Sequence, residues 1–150
     1  LVTDIFGREL HRRMFKGVWK WAGHYRKTER NLGWDVHRLT EGIYHAFADA
    51  RAWFQYDTYP LHETAIRLHH QLVQIHPWPN GNGRHARLMA DVLIQSRGGT
   101  ELTWSKPHYA GRSARAIHRR DPKSRCGRFR TLTHFFAQLT QDEKFCVSQH

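Results

Sequence analysis

An apolar stripe with helical spacing runs from Leu61 to Ile75 and stops at a proline. Its members recur at intervals of three and four residues, as on a buried helix face: Leu61, Ala65, Leu68, Leu72 and Ile75. Pro77 cannot continue that helix because it lacks a backbone donor. A second apolar run begins after Gly83 and contains Leu88, Ala90, Val92, Leu93 and Ile94. The pattern therefore predicts two helices joined by a short loop rich in turn-forming residues.

Helical periodicity dominates the rest of the chain as well. It predicts a first helix over residues 8–21, with Leu10, Met14, Val18 and Trp21 on one face, and a second over residues 36–54. One or two further helices are expected between residues 108 and 139. The polar segment 25–35 contains Asn31 and Gly33 and favours a turn or a small β-hairpin. The predicted fold is an all-α single domain over residues 1–150, with a core at about 8–139 and one small hairpin.

Composition limits the function classes. The 150 residues are 39% hydrophobic, which is typical of a globular domain, and no apolar run is long enough for a membrane span or a leader peptide. Cys126 and Cys146 form no metal-binding or disulfide pattern, which favours a cytoplasmic protein. Because the chain starts at Leu1, we expect that an N-terminal segment precedes it in the natural protein. The net charge of +11 favours phosphate-containing or acidic partners.

The loop between the two central helices has the residue types of an anion site. Gly81 and Gly83 permit close backbone approach, and the first N–H groups of the next helix have no intrahelical partner. Arg84 and Arg87 are three residues apart and share a helix side, and Asp91 is spaced to hold Arg87. His76 adds a titratable base across the loop. Spacing alone fits both a phosphate site and an ordinary helix–helix turn with solvated arginines.

Residues 76–87, H-P-W-P-N-G-N-G-R-H-A-R, resemble the signature H-x-F-x-(D/E)-G-N-G-R-x-x-R of the Fic family. Six positions are identical: His76, Gly81, Asn82, Gly83, Arg84 and Arg87. Residues 21–26, W-A-G-H-Y-R, are similar to the family segment W-A-G-x-(F/Y)-R that precedes its substrate flap. The loop sequence P-N-G-N-G-R-H-A-R is most similar to the group called mobile mystery protein B.

The resemblance implies a Fic-type helical domain with a helix–loop–helix active-site motif. It also implies transfer of AMP from ATP to a tyrosine, serine or threonine hydroxyl of a target protein. By this resemblance His76 is the general base, Gly81 and Gly83 form a backbone nest, and Asn82 contacts the α-phosphate. Arg84 and Arg87 hold the β- and γ-phosphates. Asn31, Leu32 and Gly33 lie in the flap that aligns the target chain by strand addition.

Two positions depart from the family pattern. Trp78 replaces the usual phenylalanine, and we expect it to anchor the loop in the core. Asn80 replaces the acidic residue that holds Mg²⁺, and a neutral amide oxygen is a weaker ligand for this hard cation. The alternatives are transfer with a weakened metal site or a nucleotide-binding module without efficient transfer.

Partners are suggested by two further features. Fic proteins are often restrained by a helix with the pattern (S/T)-x-x-x-E-(G/N), which residues 1–150 lack. The alternatives are an inhibitory helix in a preceding N-terminal segment, one in an antitoxin-like partner chain, or no such helix. Residues 106–130 contain nine lysines and arginines but only one acid, Asp121. This basic region is either a solvated face or a surface for nucleic acid or an acidic protein. Binding that survives moderate salt in shift assays would favour a nucleic-acid module.

Overall fold

The computed structural model describes residues 2–104, all within one compact unit, Leu1–Ser113. In this part the secondary structure consists of α1 (Asp4–Phe15), α2 (Leu39–Gln55), α3 (Leu61–Ile75) and α4 (Asn82–Ser96), with a short 3₁₀ turn, Val36–Arg38, before α2. The all-α prediction is confirmed for these residues. The helices predicted between residues 108 and 139, the basic region 106–130 and both cysteines lie outside the described residues, and the single-domain prediction stays a prediction.

The four helices pack as a ring of neighbours, in which α1 contacts α4, α4 contacts α3, α3 contacts α2 and α2 returns to α1. The predicted stripe of α3 faces inward at Ala65, Leu68, Leu72 and Ile75. In α4 the fully buried Ala86 and Ala90 are small enough for close approach of its neighbours, and Met89 fills the core between them. Burial of these faces gives the main stabilisation, because apolar area removed from water contributes about 25 cal/mol per Å². None of the described helices is both long and apolar enough to span a membrane.

The first helix begins and ends earlier than predicted. Thr3 caps it, with its hydroxyl accepting from the N–H of Phe6 at 3.2 Å, and its last helical residue is Phe15. Gly17 follows in a turn, and Val18, which was assigned to the apolar face, is 43% exposed. The buried stripe of α1 is therefore Phe6, Gly7, Leu10, His11 and Phe15. The prediction failed because an N-terminal cap and a glycine outweighed an apparent period of four.

Candidate active site

The predicted base lies where α3 ends. His76 is the residue that follows Ile75, and its backbone is left-handed, with φ 55° and ψ 57°. Its N–H closes the last turn on the carbonyl of Leu72 at 3.1 Å. A left-handed residue at this position turns the chain away from the helix axis. The half-buried His76 side chain therefore stands at the entrance of the loop 77–81 that leads to α4.

The start of α4 leaves backbone donors available to an anion. Gly81 precedes the helix with φ 85°, and no side chain caps the helix there. The first internal bond runs from the N–H of His85 to the carbonyl of Gly81 at 2.9 Å, so the N–H groups of residues 82–84 have no intrahelical acceptor. A Cβ at Gly83 would meet only Arg87 Nη1, at 3.8 Å. The helix end is thus open at Gly83 and has the partial positive charge that attracts phosphate.

Gly81 is also needed for close packing, beside the backbone conformation that was predicted for it. A Cβ at this position would lie 2.7 Å from Phe15 Cε2 and 3.2 Å from Trp19 Cζ3. Its positive φ would also strain any L-residue. Gly81 therefore lets the loop pack against the end of α1, in addition to opening the backbone.

Asn82 closes the loop with its side chain. Its Oδ1 accepts from the N–H of Trp78 at 2.9 Å, and its Nδ2 donates to the carbonyl of the same residue at 2.8 Å. The side chain is buried, as is Trp78, which is 1% exposed and confirms the predicted aromatic anchor. Both ends of the Asn82 amide are therefore engaged in closing the loop.

The two signature arginines are both exposed on the first turns of α4. The guanidinium of Arg84 lies over the rings of Phe15 and Trp19, with its Cζ 4.8 and 5.5 Å from the two ring centroids. Arg87 reaches back over Gly83. Neither guanidinium forms an ion pair with a carboxylate of the described residues, so both charges are available to a ligand.

The predicted Arg87–Asp91 pair is wrong. Asp91 accepts from the indole N–H of Trp104, at 3.0 and 2.9 Å to its two oxygens, and from the N–H of Leu102 at 3.3 Å. Burial is the main cause that raises the pKa of Asp91, and Arg87 is one of the smaller influences that lower it. The carboxylate therefore binds the segment after α4, at Leu102 and Trp104. Helix spacing could not reveal this contact, because the two donors lie outside the helix.

The segment 25–35 contacts the loop but contains no strand in the described structure, so the predicted hairpin is not formed. Two of its backbone N–H groups donate to residues outside the segment. The N–H of Arg26 bonds to the carbonyl of Pro77 at 2.9 Å, and the N–H of Trp34 bonds to that of Ile75 at 3.2 Å. These bonds replace the cross-strand pairing that a hairpin needs.

The tip of this segment lies against the predicted base. A Cβ on Gly33, whose φ is 102°, would stand 2.5 Å from His76 Cβ and 2.8 Å from the carbonyl of Ile75. Asn31 and Leu32 are exposed beside it, Leu32 at 68%. The structure therefore brings Gly33, one of the three predicted flap residues, to His76, and leaves the other two free to meet another chain.

Arg26 is a residue whose importance the sequence did not reveal. It is 3% exposed, and its Nε donates to the carbonyl of His76 at 2.9 Å. The other guanidinium nitrogens donate to the carbonyls of Thr28, at 3.1 Å, and Trp34. The guanidinium of Arg26 also forms an ion pair with the carboxylate of Glu29, at 3.5 Å. Arg26 thus connects both ends of segment 28–34 to the backbone of the predicted base, and its position at the end of the W-A-G string was the only available signal.

A buried histidine on α1 supports the loop from the other side. The N–H of Gly23 donates to His11 Nδ1 at 3.0 Å, so the proton is on Nε2, which donates to the carbonyl of Asn80 at 3.2 Å. The imidazole also stacks on Trp78, with ring centroids 4.1 Å apart. Sequence analysis missed His11 because the first helix was assigned the wrong face; the spacing Gly7, His11, Phe15 was the signal.

His85, inside the signature, is also structural. Its Nε2 donates to the carbonyl of Gly7 at 2.9 Å, and its ring meets the edge of Trp78. Burial lowers the pKa of His85 to about 3 and that of His11 to about 4, and the nearby charge of Arg84 adds to the effect on His11. Both rings are therefore neutral in the folded protein near neutral pH.

These two histidines make the fold sensitive to acid. In the unfolded chain His11 binds a proton as the pH falls below its ordinary pKa of 6.5, whereas in the folded chain it does so only below about pH 4. Stability therefore falls as the pH drops through this window, by about 3 kcal/mol for His11 alone. We expect the free energy of unfolding, measured with urea between about pH 7 and about pH 4.5, to show this decline. His11→Gln keeps a donor and an acceptor, and its curve should be flatter; parallel curves would contradict the assignment.

The loop does not provide the donor set of a Mg²⁺ site. Asn80 contributes one neutral oxygen, and this Oδ1 accepts from the N–H of Gly81 at 2.7 Å. No group of three or more histidine, cysteine, aspartate or glutamate residues in residues 2–104 could hold a metal ion. Mg²⁺ prefers carboxylate oxygens together with substrate phosphates. The described residues therefore do not fit a protein-held Mg²⁺, and we assign no step to it.

The match to known sequences agrees with this geometry. Residues 6–94 match the sequence model of the Fic/DOC family. The chain belongs to the Fic/DOC family. The matched range of this Fic domain contains the loop, both signature arginines, segment 25–35 and most of α1 to α4. No solved structure matches the chain. The resemblance to the mobile mystery protein B group stays a prediction.

Proposed function

We propose that this Fic domain is a protein adenylyltransferase that moves AMP from ATP to a tyrosine, serine or threonine hydroxyl of a target protein. The observation that carries the proposal is the arrangement around loop 77–81. His76 stands at one end of the loop, and the uncapped N-terminus of α4, with Arg84 and Arg87 on its first turns, stands at the other. A base opposite a cationic phosphate site is what in-line transfer to a hydroxyl requires.

Each group has one task in the proposed reaction. His76 accepts the proton of the target hydroxyl, whose oxygen attacks the α-phosphorus of ATP. The bond between the α-phosphorus and its bridging oxygen breaks, and pyrophosphate leaves. The free N–H groups of residues 82–84 and the guanidinium groups of Arg84 and Arg87 neutralise the phosphate charge, including that on the leaving group. Segment 31–33 lies next to His76 and holds the target chain.

The proposal is tested by incubating the purified protein with ATP and candidate targets and measuring intact mass. A gain of one AMP on the target or on the protein itself supports adenylyl transfer, and a gain of one phosphate would replace it by phosphoryl transfer. If no mass changes in Mg²⁺ or Mn²⁺ while ATP still protects the protein against unfolding, the domain is a nucleotide-binding module. With neither transfer nor protection, the proposal fails.

Position 80 decides how fast the proposed reaction runs. Asn80→Asp supplies the carboxylate that the loop lacks, at an exposed position whose amide oxygen makes only one bond to Gly81. We expect the variant to label faster in Mg²⁺ by at least roughly tenfold. Gln55→Glu adds the same charge at an exposed position at the end of α2 and should leave the rate unchanged. Equal rates for wild type and Asn80→Asp would show that the missing carboxylate does not limit transfer.

A further inference from the structure

The guanidinium of Arg84, one of the two signature arginines, lies against aromatic rings. Its Cζ is 4.8 Å from the ring centroid of Phe15 and 5.5 Å from that of Trp19. Both distances are within the range of about 6 Å in which a cation is attracted to the face of a ring. Arg84 is exposed and forms no ion pair with a carboxylate of residues 2–104. Ring contacts are therefore the interactions that hold its guanidinium in the described structure.

The rings belong to a fixed aromatic shelf that consists of Phe15, Trp19 and Trp21. Phe15 is 1% exposed at the end of α1, and Trp19 tilts against it with ring centroids 4.7 Å apart. Trp21 stacks on Trp19 at 4.6 Å, with an interplanar angle of 11°. The N–H of Trp19 donates to the carbonyl of Phe15 at 2.9 Å, and its own carbonyl accepts from the N–H of Ala22 at 3.1 Å. Trp19 is thus held through both its ring and its backbone.

The shelf is also in contact with the start of α4. A Cβ at Gly81 would lie 2.7 Å from Phe15 Cε2 and 3.2 Å from Trp19 Cζ3. Gly81 is the residue that precedes α4, whose first N–H groups are open to an anion. Contact at this point fixes the shelf relative to those N–H groups. The shelf therefore keeps the guanidinium of Arg84 close to the N-terminus of the helix.

A ring contact is compatible with the binding of a phosphate by the same guanidinium. The ring meets the face of the planar group, whereas its five N–H donors point outward in the plane and can bind two phosphate oxygens together. A long side chain that is already ordered also loses less conformational entropy when it binds a ligand. Arg84 on its shelf is therefore prepared for an anion at lower entropic cost than a solvated arginine would be.

We propose that Trp19 is a positioning residue of the phosphate site and holds Arg84 in the orientation that binds the β- and γ-phosphates of ATP. The assignment of ATP as the ligand rests on the proposed function, whereas the contact between Trp19 and Arg84 does not. Trp19 acts through Arg84 and touches no reacting atom. Its contribution is affinity for the polyphosphate part of the substrate.

Calorimetric titration of the full chain with inorganic pyrophosphate tests this role without any transfer. Trp19→Leu removes the ring but keeps an apolar side chain, and we expect it to weaken pyrophosphate binding by about three- to fivefold. Trp19→Phe keeps an aromatic face and should restore most of this loss. Trp53→Leu removes a half-buried tryptophan from α2 and should leave the affinity unchanged. In an Arg84→Met background, Trp19→Leu should have no further effect, because the ring acts through the guanidinium.

The NMR signal of the Arg84 Nε–H gives a second readout that needs no ligand. Ring currents should shift it in the wild type, and in Trp19→Leu it should move toward the position of a solvated arginine. An unchanged Arg84 signal would overturn the contact. The same loss of affinity in the Arg84→Met background, or no rescue by Trp19→Phe, would leave Trp19 with a packing role only.

The outcome for Trp19 is separable from that for adenylyl transfer. If the wild type binds no pyrophosphate, the role of Trp19 in the phosphate site is overturned, and transfer is still decided by the intact-mass measurement. If the variants behave as expected and no target gains AMP, Trp19 positions Arg84 in a site that binds polyphosphate without transfer. If labelling is observed, the KM for ATP should rise in Trp19→Leu by about the same factor as the loss of pyrophosphate affinity.

Discussion

Replacing His76 by alanine should reduce AMP transfer by about 10²- to 10⁴-fold, because general-base catalysis contributes this much to such reactions. The affinity for ATP should change little, because the groups proposed to bind its phosphates belong to α4, on the other side of the loop from His76. The measurement is single-turnover labelling with α-labelled ATP. Loss of rate with unchanged nucleotide affinity is the result that identifies His76 as the base.

The conformation of His76 requires a second variant. Its φ of 55° is unfavourable for alanine, so that His76→Ala removes the imidazole and also strains the end of α3. Asparagine tolerates the left-handed region and cannot act as a base, so His76→Asn should fold as the wild type does and still fail to label. His70→Ala removes an exposed histidine from the same helix and serves as the control. Wild-type labelling by His76→Asn would rule out the assigned role.

Removal of the Arg26 side chain is expected to have the largest effect on stability. Arg26→Met removes a buried guanidinium and leaves the carbonyls of His76, Thr28 and Trp34 without their donor in a partly buried place. It also leaves the exposed Glu29 without its ion pair. We expect a loss of about 3–5 kcal/mol in the free energy of unfolding, because three hydrogen bonds to a charged group are lost. Arg26→Lys keeps the charge but not the planar fork, so it should restore only part of the stability. Urea unfolding measures both variants.

The control for Arg26 is Arg30→Met, which removes an exposed arginine from the same segment. It should change stability by less than about 0.5 kcal/mol. An equal loss in the two variants would show that the carbonyl contacts of Arg26 contribute nothing particular. If a folded Arg26→Lys protein labels slowly while it binds ATP normally, the contact with His76 also positions the base.

The helix–loop–helix unit was predictable because its signals are local. The stripe from Leu61 to Ile75, the proline that ends it and the glycines before α4 act on neighbouring backbone, and the structure reproduces these helix ends to within about one residue. The signature residues His76, Arg84 and Arg87 follow from the same stretch, since their relative positions depend on one turn and one helix. A sequence motif of this kind determines the candidate site and the family.

The remaining features depend on contacts between residues far apart in the chain. His11 reaches Asn80, and Arg26 reaches His76, across 69 and 50 positions. No periodicity encodes such pairs, because they are selected by the packing of α1 and segment 25–35 on the loop. The absence of the hairpin has the same origin, because the N–H of Arg26 bonds to the loop and the N–H of Trp34 bonds to the end of α3, instead of pairing across two strands. The sequence by itself determined α3, α4, the loop between them and its charged residues. Only the tertiary structure decided which buried polar groups hold that loop in place, because those contacts arise from long-range packing.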